Sequence, residues 1–323
     1  MYNLGYLRQI DVNITDLCNK TCSFCPRHSK DVYPNNNENI SIELFTKIID
    51  ECNEQGFEGD IMLCGRSEPT MHPQYEEIFD LLTQDGKTWN ACITTNGYKL
   101  EKYWDRYYNK LDGMILNTYT TRRDYEDRVQ KYGYDLKSNH KRFGVEQYFK
   151  PDGQTVQEIN SSANRFQIPD GPGRWYKHDF NSRCGIQEHS EKADTRWRKL
   201  PCSHTLDLLF LNFDGKIHMC CNDWGPGGGK GQTEVGEYVT KNIFYAYRKN
   251  KKRAEITHHL LNGRRNMMEA CTNCTMTTDS QEHCKSAKED WQLQNYMAKL
   301  IQSKDEYYHD EDSLKVIPWG DEK

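Results

Sequence analysis

The first residues of this sequence whose types and spacing could support chemistry are three cysteines near its amino end, Cys18, Cys22 and Cys25. The spacing C-x3-C-x2-C lets three thiolates converge on one soft metal centre. A 4Fe–4S cluster normally takes four thiolates from protein, so a cluster held by these three would leave one iron open to an outside ligand. A structural zinc site would need a fourth ligand, and His28 is the nearest candidate for it.

A second set of cysteines lies in the last third of the chain. Cys202 and Cys220 flank a stretch around Gly215 whose pattern predicts a β-hairpin, and Cys271 and Cys274 form a C-x2-C pair. Four thiolates suit a closed 4Fe–4S cluster and structural zinc alike, and the spacing does not choose between them. In a cytoplasmic protein, such clustering among the 13 cysteines indicates metal binding rather than disulfides.

The elements that must position the first cysteine set alternate between strands and helices. The stretch Leu7–Ile14 alternates apolar and polar residues, as a strand does, and Cys18 follows it in a polar loop. Strand–helix alternation over the first 120 residues predicts a parallel sheet, in which the loops after the strands meet at one edge. The further predicted strands are Ile61–Leu63, Ala91–Ile93, Met114–Leu116, Phe143–Phe149 and Arg165–Ile168.

Three loops of this pattern together resemble the radical S-adenosylmethionine (SAM) superfamily. That family carries C-x3-C-x-aromatic-C after its first strand, and Phe24 is the aromatic residue here. It carries a Gly-Gly-Glu-Pro-like turn after the second strand, where this chain has Gly-Arg-Ser-Glu-Pro at Gly65–Pro69, with the middle glycine replaced. Its Thr-Asn-Gly after the third strand is matched at Thr95–Gly97. The resemblance covers about residues 7–120 and implies an α/β fold, a partial (β/α)6 barrel.

The resemblance also implies a mechanism and a set of site residues. A 4Fe–4S cluster on Cys18, Cys22 and Cys25 would bind SAM at its open iron and pass one electron to the sulfonium. The resulting 5′-deoxyadenosyl radical would abstract hydrogen from a substrate. An electron donor such as flavodoxin or ferredoxin is an implied partner. The residues expected to contact SAM are Phe24, Gly65, Arg66, Ser67, Glu68, Asn96 and Asn117.

The second cysteine set is similar to the auxiliary-cluster modules of this superfamily, called SPASM or, in the shorter form, twitch. These modules open with a cysteine, a glycine-centred hairpin and another cysteine, as in Cys202–Cys220 here. Only Cys284 follows Cys274, which favours the one-cluster twitch form and leaves Cys221 and Cys284 without an assigned role. The resemblance implies an auxiliary 4Fe–4S cluster on Cys202, Cys220, Cys271 and Cys274. The expected organisation is a barrel over 1–185, the module over 186–303 and an acidic tail over 304–323.

We expect net oxidation or other modification of a small molecule, such as a sugar or an aminocyclitol. Modification of a ribosomally made peptide is the alternative within the superfamily. The 17 residues before Cys18 are too few for an amino-terminal peptide-recognition domain, which weighs mildly against that alternative. A hypothesis of another class is a zinc-bearing binding module without catalysis.

The composition of the chain gives no reason to expect a nucleic-acid or membrane partner. The formal net charge of −5 gives no electrostatic reason for a nucleic-acid partner, and the basic run Arg248–Arg253 is expected to be the solvated face of a helix. No apolar run approaches the roughly 20 residues of a membrane span, and the amino end lacks a secretory pattern. A cytoplasmic location without membrane or nucleic-acid partners is therefore expected. Cys52, Cys64 and Cys92, on predicted helices and strands, are expected in the core.

Overall fold

A single mixed β-sheet forms the centre of the described part of the chain. The computed structural model describes residues 6–22, 25–28, 33, 35–118, 127, 130–131, 142–147, 163–167, 176–178, 201–224, 234–237, 242–272, 274 and 281–304. The strands in chain order are β1 (Gln9–Val12), β2 (Asp60–Leu63), β3 (Asn90–Thr95), β4 (Gly113–Thr118), β5 (Arg142–Gln147), β6 (Ala163–Gln167), β7 (Tyr176–His178), β8 (Leu208–Leu211), β9 (Lys216–His218) and β10 (Glu234–Glu237). Their order across the sheet is β10-β9-β8-β1-β2-β3-β4-β5-β6-β7.

Six neighbouring strands of this sheet, β8 and β1 to β5, run parallel, which confirms the predicted α/β fold class. β8 pairs with β1 in a register that places Leu208 opposite Gln9 and Leu211 opposite Val12. The sixth parallel strand therefore comes from the carboxyl-terminal part of the chain. The sixth predicted strand, Arg165–Ile168, forms as β6 but runs antiparallel to β5, so β8 takes the place of the sixth parallel strand.

Helices pack their apolar faces against this sheet. The first begins after Ser41, whose hydroxyl accepts a hydrogen bond from the Leu44 N–H at 3.1 Å. Its buried face contains Phe45, Ile48 and Cys52, as the helical period predicts. No helix among the described residues is both long enough and apolar enough to cross a membrane. The helices are α1 (Ile42–Glu54), α2 (Tyr75–Leu82), α3 (Leu100–Lys110), α4 (His204–Asp207), α5 (Ile243–Lys249), α6 (Lys251–Leu261), α7 (Glu269–Thr272), α8 (Gln281–Glu289) and α9 (Trp291–Gln302).

The basic run Arg248–Arg253 is less exposed than the sequence predicts. Lys249 and Arg253 are 2% and 3% exposed. The Arg253 guanidinium lies 3.6 Å from the Tyr247 ring centroid and donates hydrogen bonds of 2.6 Å to the carbonyls of Tyr247 and Thr205. These contacts offset the cost of burying the charge, so the expectation of a fully solvated helix face is wrong.

Candidate functional site

Side-chain hydrogen bonds connect the start of the loop after β1, at Asp16, to its end at residues 35–38. The Asp16 carboxylate accepts hydrogen bonds from the backbone N–H groups of Asn36 at 2.6 Å and Glu38 at 3.0 Å. The Arg27 guanidinium donates to the Asp16 carbonyl and to Asn35 Oδ1. These bonds join the two ends of the loop and hold its cysteines at the carboxyl edge of the parallel strands.

The three cysteines of the first set line one open cavity of about 610 Å³. The Cys25 N–H donates to the Cys22 carbonyl at 3.0 Å, so a tight turn brings these two together. Burial, and then the neighbouring sulfurs of Cys25 and Cys18, raise the pKa of Cys22 to about 12, and burial raises the pKa of Cys18. Thiolates here need a nearby positive charge, which a metal centre supplies. Phe24 lies outside the described residues.

The spacing of the donors bears on the kind of metal. Among the residues that the structure describes, no group of three or more His, Cys, Asp or Glu side chains is arranged to hold a single metal ion. A zinc ion draws its sulfur ligands to about 2.3 Å from one point. A 4Fe–4S cube binds each thiolate at a different iron, so it holds the sulfurs farther apart. Three soft thiolates around one cavity match the donor set of a 4Fe–4S cluster with one open iron, whereas structural zinc would need a fourth ligand.

Asn13, at the end of β1, ties the turn after β2 to the first cysteine loop. Its Oδ1 accepts hydrogen bonds from the Arg66 N–H at 3.3 Å and the Ser67 hydroxyl at 2.7 Å. Gly65 has a φ of +123°, and a Cβ there would lie 3.0 Å from both Asn13 Cβ and the Phe210 ring, so this close approach requires glycine. The motifs do not contain Asn13; its only signal in the sequence is a polar residue that ends an alternating strand.

Glu68 joins the turn after β2 to the loop after β3. Its carboxylate accepts hydrogen bonds of 2.7 Å from the hydroxyls of Thr70 and Thr95 and from the Asn96 N–H. Burial raises the pKa of Glu68, and these hydrogen bonds oppose the rise. Both carboxylate oxygens thus accept from the protein, which gives Glu68 a scaffold role. Its contact with the SAM ammonium stays a prediction.

The described residues that were predicted to contact SAM lie around the same cavity as the first cysteine set. The Asn96 amide donates to Asn19 Oδ1 at 2.9 Å and lies 3.8 Å from Cys18 Sγ. Trp224, from the segment after β9, lines this cavity too, and no local pattern in the sequence points to it. The predicted residues around the cavity are Gly65, Arg66, Ser67, Glu68, Asn96 and Asn117.

The four cysteines of the second set line another cavity, of about 460 Å³. β8 and β9 form the predicted hairpin, with Gly215 at a φ of +77° in its turn. The Cys202 N–H donates to the Leu260 carbonyl at 3.0 Å, and the Cys274 N–H donates to the Cys271 carbonyl at 3.3 Å. The cysteines that line this cavity are Cys202, Cys220, Cys271 and Cys274.

Burial dominates the electrostatics of the second set. It raises the pKa of Cys202 to about 12 and also raises the pKa of Cys271, with the Cys220 sulfur adding to both. The buried Arg265 lines this cavity and opposes the rise at both thiols. Like the first set, these thiolates fit a positive metal centre, and four of them suit a closed 4Fe–4S cluster and structural zinc alike.

Three of the remaining described cysteines, Cys52, Cys64 and Cys92, line neither cavity. Cys52 in α1 and Cys92 in β3 are buried in the core, as predicted. Cys64 is half-buried, and its thiol donates a hydrogen bond to the Asp11 carboxylate. Cys284 is fully buried in a small apolar cluster between helices and does not line the second cavity.

Comparison with known proteins finds a family match in the amino-terminal part of the chain and a similar fold over most of its length. The sequence model of the Radical SAM superfamily matches residues 12–137. The GTP 3′,8-cyclase of Klebsiella pneumoniae subsp. pneumoniae is 30% identical over 103 residues, which are 32% of this chain and 30% of that protein. The matched region thus spans less than a third of that relative.

Two crystal structures of BtrN resemble this chain over most of its length. The complex of BtrN with AdoMet and 2-DOIA superposes with a TM-score of 0.61 at 17% identity, over 86% of this chain and 97% of BtrN. Selenomethionine BtrN in an open conformation gives a TM-score of 0.57 at 16% identity, over 87% of this chain and 99% of BtrN. At this identity, the likeness shows a shared fold.

Proposed function

We propose that this chain, which belongs to the radical SAM superfamily through residues 12–137, cleaves S-adenosylmethionine reductively and abstracts hydrogen from a substrate. The observation that carries the proposal is the single cavity shared by Cys18, Cys22, Cys25 and the turn after β2. This cavity lies at the carboxyl edge of the parallel strands, where the active sites of such sheets form.

The chain's own residues would bind and orient the cosubstrate. When bound, a 4Fe–4S cluster on the first cysteine set supplies one electron to the SAM sulfonium, which yields methionine and a 5′-deoxyadenosyl radical. Asn13 and Glu68 hold the loops that surround the cavity in fixed positions. The amides of Asn96 and Asn117, both nearly buried, offer donors and acceptors to the polar groups of SAM. Trp224 lines the cavity and would help to exclude water from it.

We further propose that the net reaction oxidises an alcohol carbon of a small molecule such as a sugar or an aminocyclitol. The substrate would lose a hydrogen atom to the adenosyl radical, one electron to a cluster on the second cysteine set, and its hydroxyl proton to water, which leaves a carbonyl group. The four thiolates around the second cavity support this electron-acceptor role. BtrN shares the fold and was crystallised with AdoMet and 2-DOIA, so 2-DOIA is the first substrate to test.

Loss of one ligand from the first set tests SAM cleavage. Reconstituted anaerobically with iron and sulfide, the protein should form 5′-deoxyadenosine from SAM and a strong reductant. Cys22→Ala should abolish that product, whereas the matched variant Cys52→Ala removes a core thiol distant from the cavity and should retain it. Continued product formation by Cys22→Ala would contradict the assignment.

Isotope transfer tests the substrate and the net reaction. A candidate polyol or aminocyclitol that carries deuterium on its carbinol carbons should give monodeuterated 5′-deoxyadenosine together with the corresponding ketone, both detected by mass spectrometry. Deuterium transfer without a ketone would reject net oxidation and retain hydrogen abstraction. Transfer only from a peptide substrate would replace the small-molecule proposal with peptide modification.

A further inference from the structure

Arg66 has an unusual position for a residue in the turn that lines the first cavity. Its backbone belongs to that turn, and its side chain is 1% exposed. The guanidinium lies 4.7 Å from the Phe210 ring centroid and 5.9 Å from the Trp224 ring centroid. It also donates a hydrogen bond to the Asp223 carbonyl. The side chain therefore leaves its own turn and packs against β8 and the segment after β9.

The segment that Arg66 contacts, Cys220–Trp224, contributes to the lining of the second cavity. Cys220 and Asp223 line that cavity, and the Asp223 N–H donates to the Cys220 carbonyl at 3.3 Å. Burial lowers the pKa of Arg66, and Tyr33, Asp223, Cys221 and Cys220 oppose this decrease. Arg66 therefore lines the first cavity while its guanidinium contacts the segment that carries Cys220 of the second set.

A different buried arginine serves the first set. Arg27 lines the first cavity, lies 4.6 Å from the Tyr33 ring centroid and opposes the rise in the pKa of Cys18 that burial causes. Tyr33 in turn meets Trp224 edge to face at 5.2 Å. Cations and aromatic rings thus alternate from the first cysteine loop to β8, with Arg27 beside the first cysteine set and Arg66 between this set and the segment that carries Cys220.

We infer that Arg66 is a positioning residue for the second metal centre, where its charge favours acceptance of an electron. This inference rests on the second cluster of the proposed function. A buried cation stabilises the reduced form of a nearby cluster, which carries one more negative charge than the oxidised form, so it raises the reduction potential. Low local dielectric strengthens this effect, because Arg66 is screened from water. The family-like turn thereby couples the first site to the electron acceptor through one side chain.

The test measures the reduction potential of the second cluster by itself. Cys18, Cys22 and Cys25 are all replaced by alanine to remove the first cluster, and the second is titrated by EPR-monitored reduction. In this background, Arg66→Gln should shift the midpoint potential to more negative values, and Arg66→Lys, which keeps the charge, should shift it less. Arg27→Gln is the matched control and should leave the potential unchanged.

Shifts of the midpoint potential in opposite directions, in Arg66→Gln and Asp223→Asn, would distinguish an effect of charge from structural damage. Asp223→Asn removes a buried negative charge beside the same cavity, so it should shift the midpoint potential to more positive values. Asp223→Asn also decides the outcome if Arg66→Gln does not fold. An unchanged potential in Arg66→Gln, or shifts of the same sign in Arg66→Gln and Asp223→Asn, would overturn the inference. If the triple-alanine protein holds zinc or no metal, the second cluster of the proposed function fails and the inference fails with it. Formation of 5′-deoxyadenosine by the unmodified chain would then still stand.

Discussion

Replacement of Asp11 by asparagine should stabilise the protein at neutral pH. Asp11 lies in β1 and is 2% exposed. Burial raises the pKa of its carboxyl from 3.8 to about 6, a rise that hydrogen bonds from Gln9 and Cys64 oppose and the nearby Asp60 charge increases. The folded chain therefore binds this proton more tightly than the unfolded chain does. Ionisation of Asp11 thus lowers stability as pH rises from about 4 through about 6.

The magnitude follows from the change in pKa. A carboxyl whose pKa rises from 3.8 to about 6 on folding costs about 3 kcal/mol once it is fully ionised. Below about pH 4 the cost vanishes, because both states are protonated. Asp11→Asn keeps the oxygen that accepts the 2.6 Å hydrogen bond from Gln9 and removes the ionisation. The gain is thus at most about 3 kcal/mol at neutral pH, reduced by any unsatisfied amide N–H.

Urea denaturation at two pH values isolates the ionisation. Followed by circular dichroism under anaerobic conditions, the free energy of unfolding of Asp11→Asn relative to wild type should increase by about 1 kcal/mol between pH 5 and pH 7. Asp85→Asn, at an exposed turn, is the control and should show no such change. A difference between Asp11→Asn and wild type that is equal at the two pH values would refute the reasoning.

Two further predictions concern the metal sites and the cavity scaffold. Cys274→Ala should lower the iron content of the reconstituted chain from about eight to about four atoms, whereas Cys284→Ala, away from both cavities, should leave it unchanged. Equal iron in Cys274→Ala and wild type would reject the ligand. Glu68→Gln places an amide N–H against donors, at a cost of about 1–3 kcal/mol, and should weaken SAM binding in calorimetry. The exposed control Glu77→Gln should bind SAM like wild type, and an unchanged affinity of Glu68→Gln would remove its scaffold role.

Local patterns in the sequence were sufficient for the buried face of α1 and for the composition of both cysteine sets. The period that groups Phe45, Ile48 and Cys52 acts within a few turns, so it predicts the buried face of α1 without knowledge of the rest of the fold. Cysteine spacing is equally local. It could group the residues of each set, and the structure brings each predicted set to one cavity.

Local patterns could not predict the environment of residues whose contacts lie far away in the sequence. Asn13 bonds to Asn212 at 2.8 Å across 199 positions, and neither residue belongs to a motif. The apolar residues of β8 predict a strand, but they do not predict that its neighbour is β1. Charged residues such as Arg66 and Arg253 are usually exposed, and only the contacts of the folded chain reveal their burial.

The pairing of β8 with β1 also sets the spatial relation of the two cysteine sets. Because the strands are parallel, the first cysteine loop follows the carboxyl end of β1, whereas Cys202 precedes the amino end of β8. β9 runs back along β8, so Cys220 lies at that same amino end. Four residues of strand separate the two ends, on the order of 13 Å at about 3.3 Å per residue. Arg66 enters from the carboxyl end and stacks over Phe210 within β8, so its side chain crosses this interval toward the second site. The pairing of two strands in one sheet therefore fixes the separation between the two cysteine sets.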